Sequence, residues 1–314
     1  MMSLLIIREN ILSYIRQHER IVLPIVRFFY TLIVMLSFKT LFGYQESLYR
    51  WPILLGMSVA GAFLPGGLTY LIVMLFICID LATFSVEAAG LLLAGMLISY
   101  FLYLKVMPGK SWIILVTMVL AMKLPGLVPF LIAILIGPMG IIPAVCGIIL
   151  YYYSVHCKEL YNVLMTASGD KDVNAIAYLV NQLSQDQQML LYLVICIVVM
   201  LVTYFIYQSS MVYAWMSSIM VGMVVLILGF LAGGIIIDDA MSFRVIFLGS
   251  VLSGLAAMLV QFFKGIVDYS RIEVVQFEDD EYYYYVKAVP KIRITKQDLN
   301  VKKINVRNRN RSNK

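Results

Sequence analysis

Long apolar runs alternate with short polar punctuation along this chain, and through its first half proline and glycine, not charge, supply much of the punctuation. Three uncharged runs, Met189–Tyr207, Ala214–Ile237 and Val245–Phe263, reach the ~20 residues that a helix needs to cross a ~30 Å hydrocarbon core. Ile21–Phe42 is a fourth crossing, with Lys39 near its far end, where a long side chain reaches headgroups. Pro52–Leu64 is short for a crossing and runs into Leu64-Pro65-Gly66-Gly67. Leu68–Phe84 and Ala88–Leu104 follow as more regular spans.

Trp112–Lys123 and Leu127–Ile136 flank Leu124-Pro125-Gly126, and each half is too short to cross alone. A re-entrant hairpin and a single kinked helix are the two readings, and charge balance favours the hairpin. A third break, Gly137-Pro138 through Pro143, precedes Ile141–Tyr153. Unpaired peptide groups in hydrocarbon cost several kcal/mol, so such breaks survive only where protein or trapped water satisfies them. The pattern predicts an all-α polytopic membrane protein of about nine or ten hydrophobic segments, some Pro/Gly-broken or re-entrant, with a small C-terminal β-hairpin.

Three regions fall outside the spans. Residues 1–20 place Leu4, Ile7, Ile11 and Ile15 on one stripe, as in an amphipathic helix lying in the interface; the transmembrane domain is then 21–263. Within it, 157–188 is polar and predicts an amphipathic helix over Asp172–Gln188, with Ile176, Leu179, Val180 and Leu183 on one side. In the tail, 264–314, Arg271–Phe277 and Tyr282–Val289 flank the acidic turn Glu278-Asp279-Asp280-Glu281 as a β-hairpin, and Arg307–Lys314 is basic, Asn-rich and disordered.

Composition agrees: 62% hydrophobic and 13% charged residues exclude an ordinary soluble domain, and the mean hydropathy is +0.89. The net charge of +6 is concentrated at the ends, with twelve Lys or Arg against seven Asp or Glu after Phe263. Both termini therefore read as cytoplasmic in a multi-pass protein of the cell membrane. The basic residues are assigned to anionic headgroups of the bilayer, and no nucleic-acid partner is expected. No cleavable signal peptide is expected either. The four cysteines lack metal or disulfide spacing, and His156-Cys157 is a lone pair of soft ligands in a chain with two histidines. No GxxxxGK[ST], HExxH, GxSxG or CxxC occurs, so the chain does not read as an enzyme and no cofactor or metal is expected.

The candidate chemistry lies at the breaks. Asp80 and Glu87 are the acidic residues nearest the apolar first half, seven apart, and a continuous helix would put them on one face. A solvated loop at Thr83–Val86 is the plainer reading of both. Lys123 directly precedes Leu124-Pro125-Gly126 and is either deep in a hairpin or snorkelling. A pathway for a small polar or ionic solute is expected where Pro65, Gly66, Gly67, Pro125, Gly126, Gly137, Pro138 and Pro143 converge, as in a permease-like transport component. The alternative is a non-transporting scaffold that docks a cytoplasmic partner, an ATPase or regulator, through Glu278, Asp279, Asp280, Tyr282 and Tyr284. Gly56/Ala60, Gly90/Ala94, Gly229/Gly233 and Ser250/Gly254 share the small-xxx-small spacing of close helix packing.

Overall fold

A computed structural model describes residues 2–104, 111–166, 174–209, 213–237, 243–264, 273–278 and 283–288. Twelve α-helices occur among the described residues. They are α1 (Met2–Gln17), α2 (Glu19–Leu41), α3 (Trp51–Phe63), α4 (Gly66–Ala82), α5 (Val86–Ser99), α6 (Trp112–Ala121), α7 (Leu127–Leu135), α8 (Ile141–Thr166), α9 (Ala175–Gln185), α10 (Gln187–Tyr207), α11 (Ala214–Ile237) and α12 (Phe243–Lys264). Five helical stretches, in α2, α8, α10, α11 and α12, are long and apolar enough to cross a membrane, which makes this a multi-pass membrane protein. Two compact units form, 15–264 and a smaller one of 1–14 with 265–314.

Glycine sets the closest approaches in the larger unit. On α11, Gly222 faces Thr203, Gly229 faces Ile195 and Gly233 faces Leu191, so α10 and α11 run antiparallel with their backbones close together. A Cβ at Gly222 would stand 2.5 Å from the Thr203 hydroxyl. Gly254 of α12 packs in the same way on Met223 of α11. By contrast, Gly56 and Gly90 face open space, so two of the four small-xxx-small pairs mark packing seams and two do not.

Each predicted break ends a helix, for a local reason. Gly43, φ +61°, closes α2 in the left-handed region, where a Cβ would collide with the Lys39 carbonyl. The equivalent position after α6 is Lys123, φ +59°. Its N–H bonds the Leu120 carbonyl at 2.9 Å and the Leu124 N–H bonds the Val119 carbonyl at 3.3 Å, the paired bonds of a Schellman motif. Pro125 then prevents α6 from continuing. The two halves have different neighbours: α6 packs on α8 and α2, whereas α7 packs on α10 and α12.

Differences from the sequence expectations arise where burial overrides pattern. Helix α8 runs on to Thr166, well past the expected end near Tyr153, because Cys157 and Leu160 continue its buried face while Lys158 and Glu159 stay outside. On α9, Ala175 and Leu179 are buried but Ile176 and Val180 are exposed, so the stripe in contact is narrower than expected. Helix α5 passes into a π-helical turn at Tyr100–Leu104.

In the smaller unit, β1 (Glu273–Glu278) pairs antiparallel with β2 (Tyr283–Ala288), Phe277 opposite Tyr284. On α1, Ile7, Ile11 and Ile15 are exposed.

Lys123→Gly should raise stability by about 1 kcal/mol, because glycine carries no left-handed penalty. Gly222→Val should lower it by about 1–3 kcal/mol through overpacking against Thr203 and Phe130. Unfolding in mixed detergent–SDS micelles measures both.

Candidate functional site

Polar ties gather at one end of the larger unit. Asp80, in the last turn of α4, is fully buried. One carboxylate oxygen accepts the Gln45 N–H at 2.9 Å, and the other accepts the Tyr44 N–H at 3.2 Å and the Tyr49 hydroxyl at 3.1 Å. Burial pushes the Tyr49 phenol well above its ordinary pKa, and the neighbouring carboxylate adds to this, so Tyr49 remains a donor. Asp80 thus anchors the segment between α2 and α3.

Glu87 serves a second anchor. Its carboxylate accepts the Ala175 N–H at 2.8 Å, at the first residue of α9, where negative charge suits the helix N-terminus. Asp80 and Glu87 do not share a helix face, since the chain turns at Thr83 and Ser85 caps α5 by accepting the Ala88 N–H. Lys158 donates to the Thr40 carbonyl at 2.5 Å, and Tyr153 to the Ala88 carbonyl at 2.6 Å.

His156 completes this end. Its Nδ1 lies 2.9 Å from Glu159 and its Nε2 2.9 Å from Asp186, which also caps α10 by accepting the Met189 N–H. With protons on both nitrogens the ring donates to both carboxylates, joining α8 to α10. Sequence reasoning paired His156 with Cys157, but Cys157 turns into the core; Glu159, one helical turn on, was the available signal.

A second polar locus is a cleft of about 220 Å³ among α2, α3, α4 and α6. Arg27, Tyr30, Thr31, Gly61, Leu64, Gly66, Thr69, Ser111, Trp112 and Leu115 line it, so it opens at the Pro65–Gly67 break. Gly61 lies against Thr31, bringing α3 close to α2 at this level. The Thr31 hydroxyl donates to backbone carbonyls within α2 and of Ser58. Tyr30 lies 3.3 Å from the Ser111 carbonyl. Arg27 is half-buried and has no ion-pair partner among the described residues.

The other breaks lie elsewhere. Pro125 offers its carbonyl to the Tyr192 hydroxyl at 2.7 Å, Gly126 is buried against Leu226 and Ser253, and Gly137, φ +82°, lies against Tyr204. Constant spacing between these partners shows that α7 and α10 run parallel. Pro138 begins a short 3₁₀ turn and Pro143 lies in the first turn of α8. The breaks at 125–126 and 137 therefore meet α10 at separate points, Tyr192 and Tyr204, at opposite ends of α7, and that at 65–67 belongs to the separate cleft, so the three do not converge as expected. Lys123 is exposed and enters neither. Of the tail candidates, Glu278 and Tyr284 lie on the two strands; Asp279, Asp280 and Tyr282 lie outside the described residues.

Comparison with known proteins finds no family, no curated protein and no solved structure that matches the chain.

Asp80→Ala should cost about 3 kcal/mol, since it removes a buried carboxylate that accepts from the buried Tyr49 hydroxyl and from the part-buried Tyr44 and Gln45 N–H groups. Glu159→Gln should cost only a few tenths of a kcal/mol, because that carboxylate is half exposed and screened. Chemical unfolding of the purified variants in detergent compares them.

Proposed function

We propose that this protein is the membrane-embedded, permease-like part of a transport system for a small polar or ionic solute, lying in the cell membrane with both termini cytoplasmic. The observation that carries the reading is the cleft at the Pro65–Gly67 break, where an arginine without a carboxylate partner stands among hydroxyl groups within apolar helices. Ionisable groups at membrane depth are costly, and they recur where solutes pass. Interrupted helices place uncapped backbone groups at such sites. The absence of nucleotide-binding motifs leaves the energy to a gradient or to an ATPase subunit, for which the basic tail, 264–314, is the proposed dock.

Flux into liposomes of a panel of labelled small ions and polar solutes tests this. Wild type should carry at least one of them well above empty liposomes. Ser111→Trp, which fills the cleft, should cut that flux about tenfold, a loss of about 1.4 kcal/mol in the transfer step. Lys123→Ala should leave it within about twofold, since Lys123 is exposed and lines no cleft. Wild-type flux equal to empty liposomes for every solute would remove the transport reading, and loss of function confined to deletion of 265–314 would favour a scaffold.

A further inference from the structure

We infer that the cleft among α2, α3, α4 and α6 is a binding site for a phosphate- or carboxylate-type anion, with the Arg27 guanidinium as its primary ligand. This rests on the transport reading for its purpose, but its test is a binding measurement independent of flux.

Three observations point to an anion. First, Arg27 lines the cleft and has no ion-pair partner among the described residues. A half-buried guanidinium presents five N–H donors in a planar fork, and two parallel bonds to a phosphate or carboxylate match it better than any neutral group. Second, two helices begin at the cleft. Gly66 is the first residue of α4 and Ser111 is the N-cap of α6, and neither helix start has a side-chain cap hydrogen bond. The first N–H groups of a helix have no carbonyl partner within it, and the helix dipole makes that end attractive to negative charge. Here those ends share a wall with the arginine.

Third, no carboxylate among the described residues lines the cleft, and the buried or capping carboxylates of this unit are committed elsewhere. Asp80 is used by Tyr44, Gln45 and Tyr49, Glu87 by Ala175, and Asp186 by His156 and Met189. The remaining polar walls suit an anion to different degrees. The Ser111 hydroxyl can donate, lying 3.4 Å from the Tyr30 hydroxyl, whereas Thr31 has already turned its proton toward backbone carbonyls. Gly61, Leu64 and Leu115 supply its apolar surface.

The same headgroup chemistry can arrive as a free anion or on an anionic lipid, and the test separates them. Trp112 lines the cleft, and the chain has three tryptophans, so Trp51→Phe with Trp215→Phe leaves Trp112 as the reporter. In neutral maltoside detergent at constant ionic strength, its emission is followed against inorganic phosphate in one arm and dihexanoyl phosphatidic acid in the other. Dihexanoyl phosphatidylcholine is the control.

A saturable change is expected in at least one arm, weakened about tenfold or more by Arg27→Gln, the loss of a charge-assisted pair, and several-fold by Ser111→Ala. Arg27→Lys should recover part of it, keeping the charge but not the fork. A response to phosphate assigns a soluble anion, and a response to phosphatidic acid alone assigns a lipid headgroup. No saturable response in either arm, or equal affinity in wild type and Arg27→Gln, overturns the site. Should Arg27→Gln not purify folded, Arg27→Lys and Ser111→Ala decide by the same comparison. Binding retained by a protein without flux would count against transport and leave the anion site standing.

Discussion

A peptide group released from a helix inside hydrocarbon has no water to turn to, and the larger unit is organised around meeting that demand. Helix α7 shows how. It is nine residues long, too short to cross, and its buried face runs from Val128 to Ile134. At its start the Pro125 carbonyl takes the Tyr192 hydroxyl, and at its end the Ile134 carbonyl takes the Lys264 ammonium. Lysine at a helix C-terminus also meets the negative end of the dipole. The Gly137 N–H returns to the Ile132 carbonyl at 3.0 Å. Each of these groups has a protein partner, so a half-length helix is held within the bundle.

The same demand explains the ties around Asp80 and His156. Loops between helices carry their own unpaired N–H groups, and Asp80 absorbs two of them while Glu87 absorbs one from α9. Carboxylates whose oxygens are filled in this way are braces and have little left for a passing solute. The cleft differs because its arginine is not answered. Elsewhere, in the α10–α12 region, Thr203 and Ser253 are buried hydroxyls without a hydrogen-bond partner, yet they lie at glycine contacts where backbones approach and leave little room. Among the described residues, an arginine, open space and two helix starts coincide at the cleft.

Membrane character was legible because length and apolarity settle it: α10, α11 and α12 are runs of uncharged residues whose existence depends on no neighbour. The ends of α6 and α3 were legible too, since proline cannot continue a helix whatever surrounds it. The roles of charged residues were not. Asp80 and Glu87 look alike in the sequence, seven residues apart, but one is fully buried and one is exposed, and their partners come from residues more than thirty positions away. Lys123 looked like the sharpest buried charge; its left-handed backbone at the end of α6 puts it outside. Arg27 sits in an apolar run, and only the folded chain brings Gly66 and Ser111 into one cleft with it.

By itself, then, the order of residues determined which of the longest segments are apolar enough to cross a membrane and that α3 and α6 stop at a proline, because hydrophobic length and the loss of a proline N–H are properties of the local chain. Tertiary structure alone decided which break opens into a cleft, which acids are braces and which arginine lines that cleft. Those outcomes depend on pairing across long sequence separations, where glycine contacts such as Gly222 with Thr203 and Gly61 with Thr31 bring backbones together that no periodicity connects.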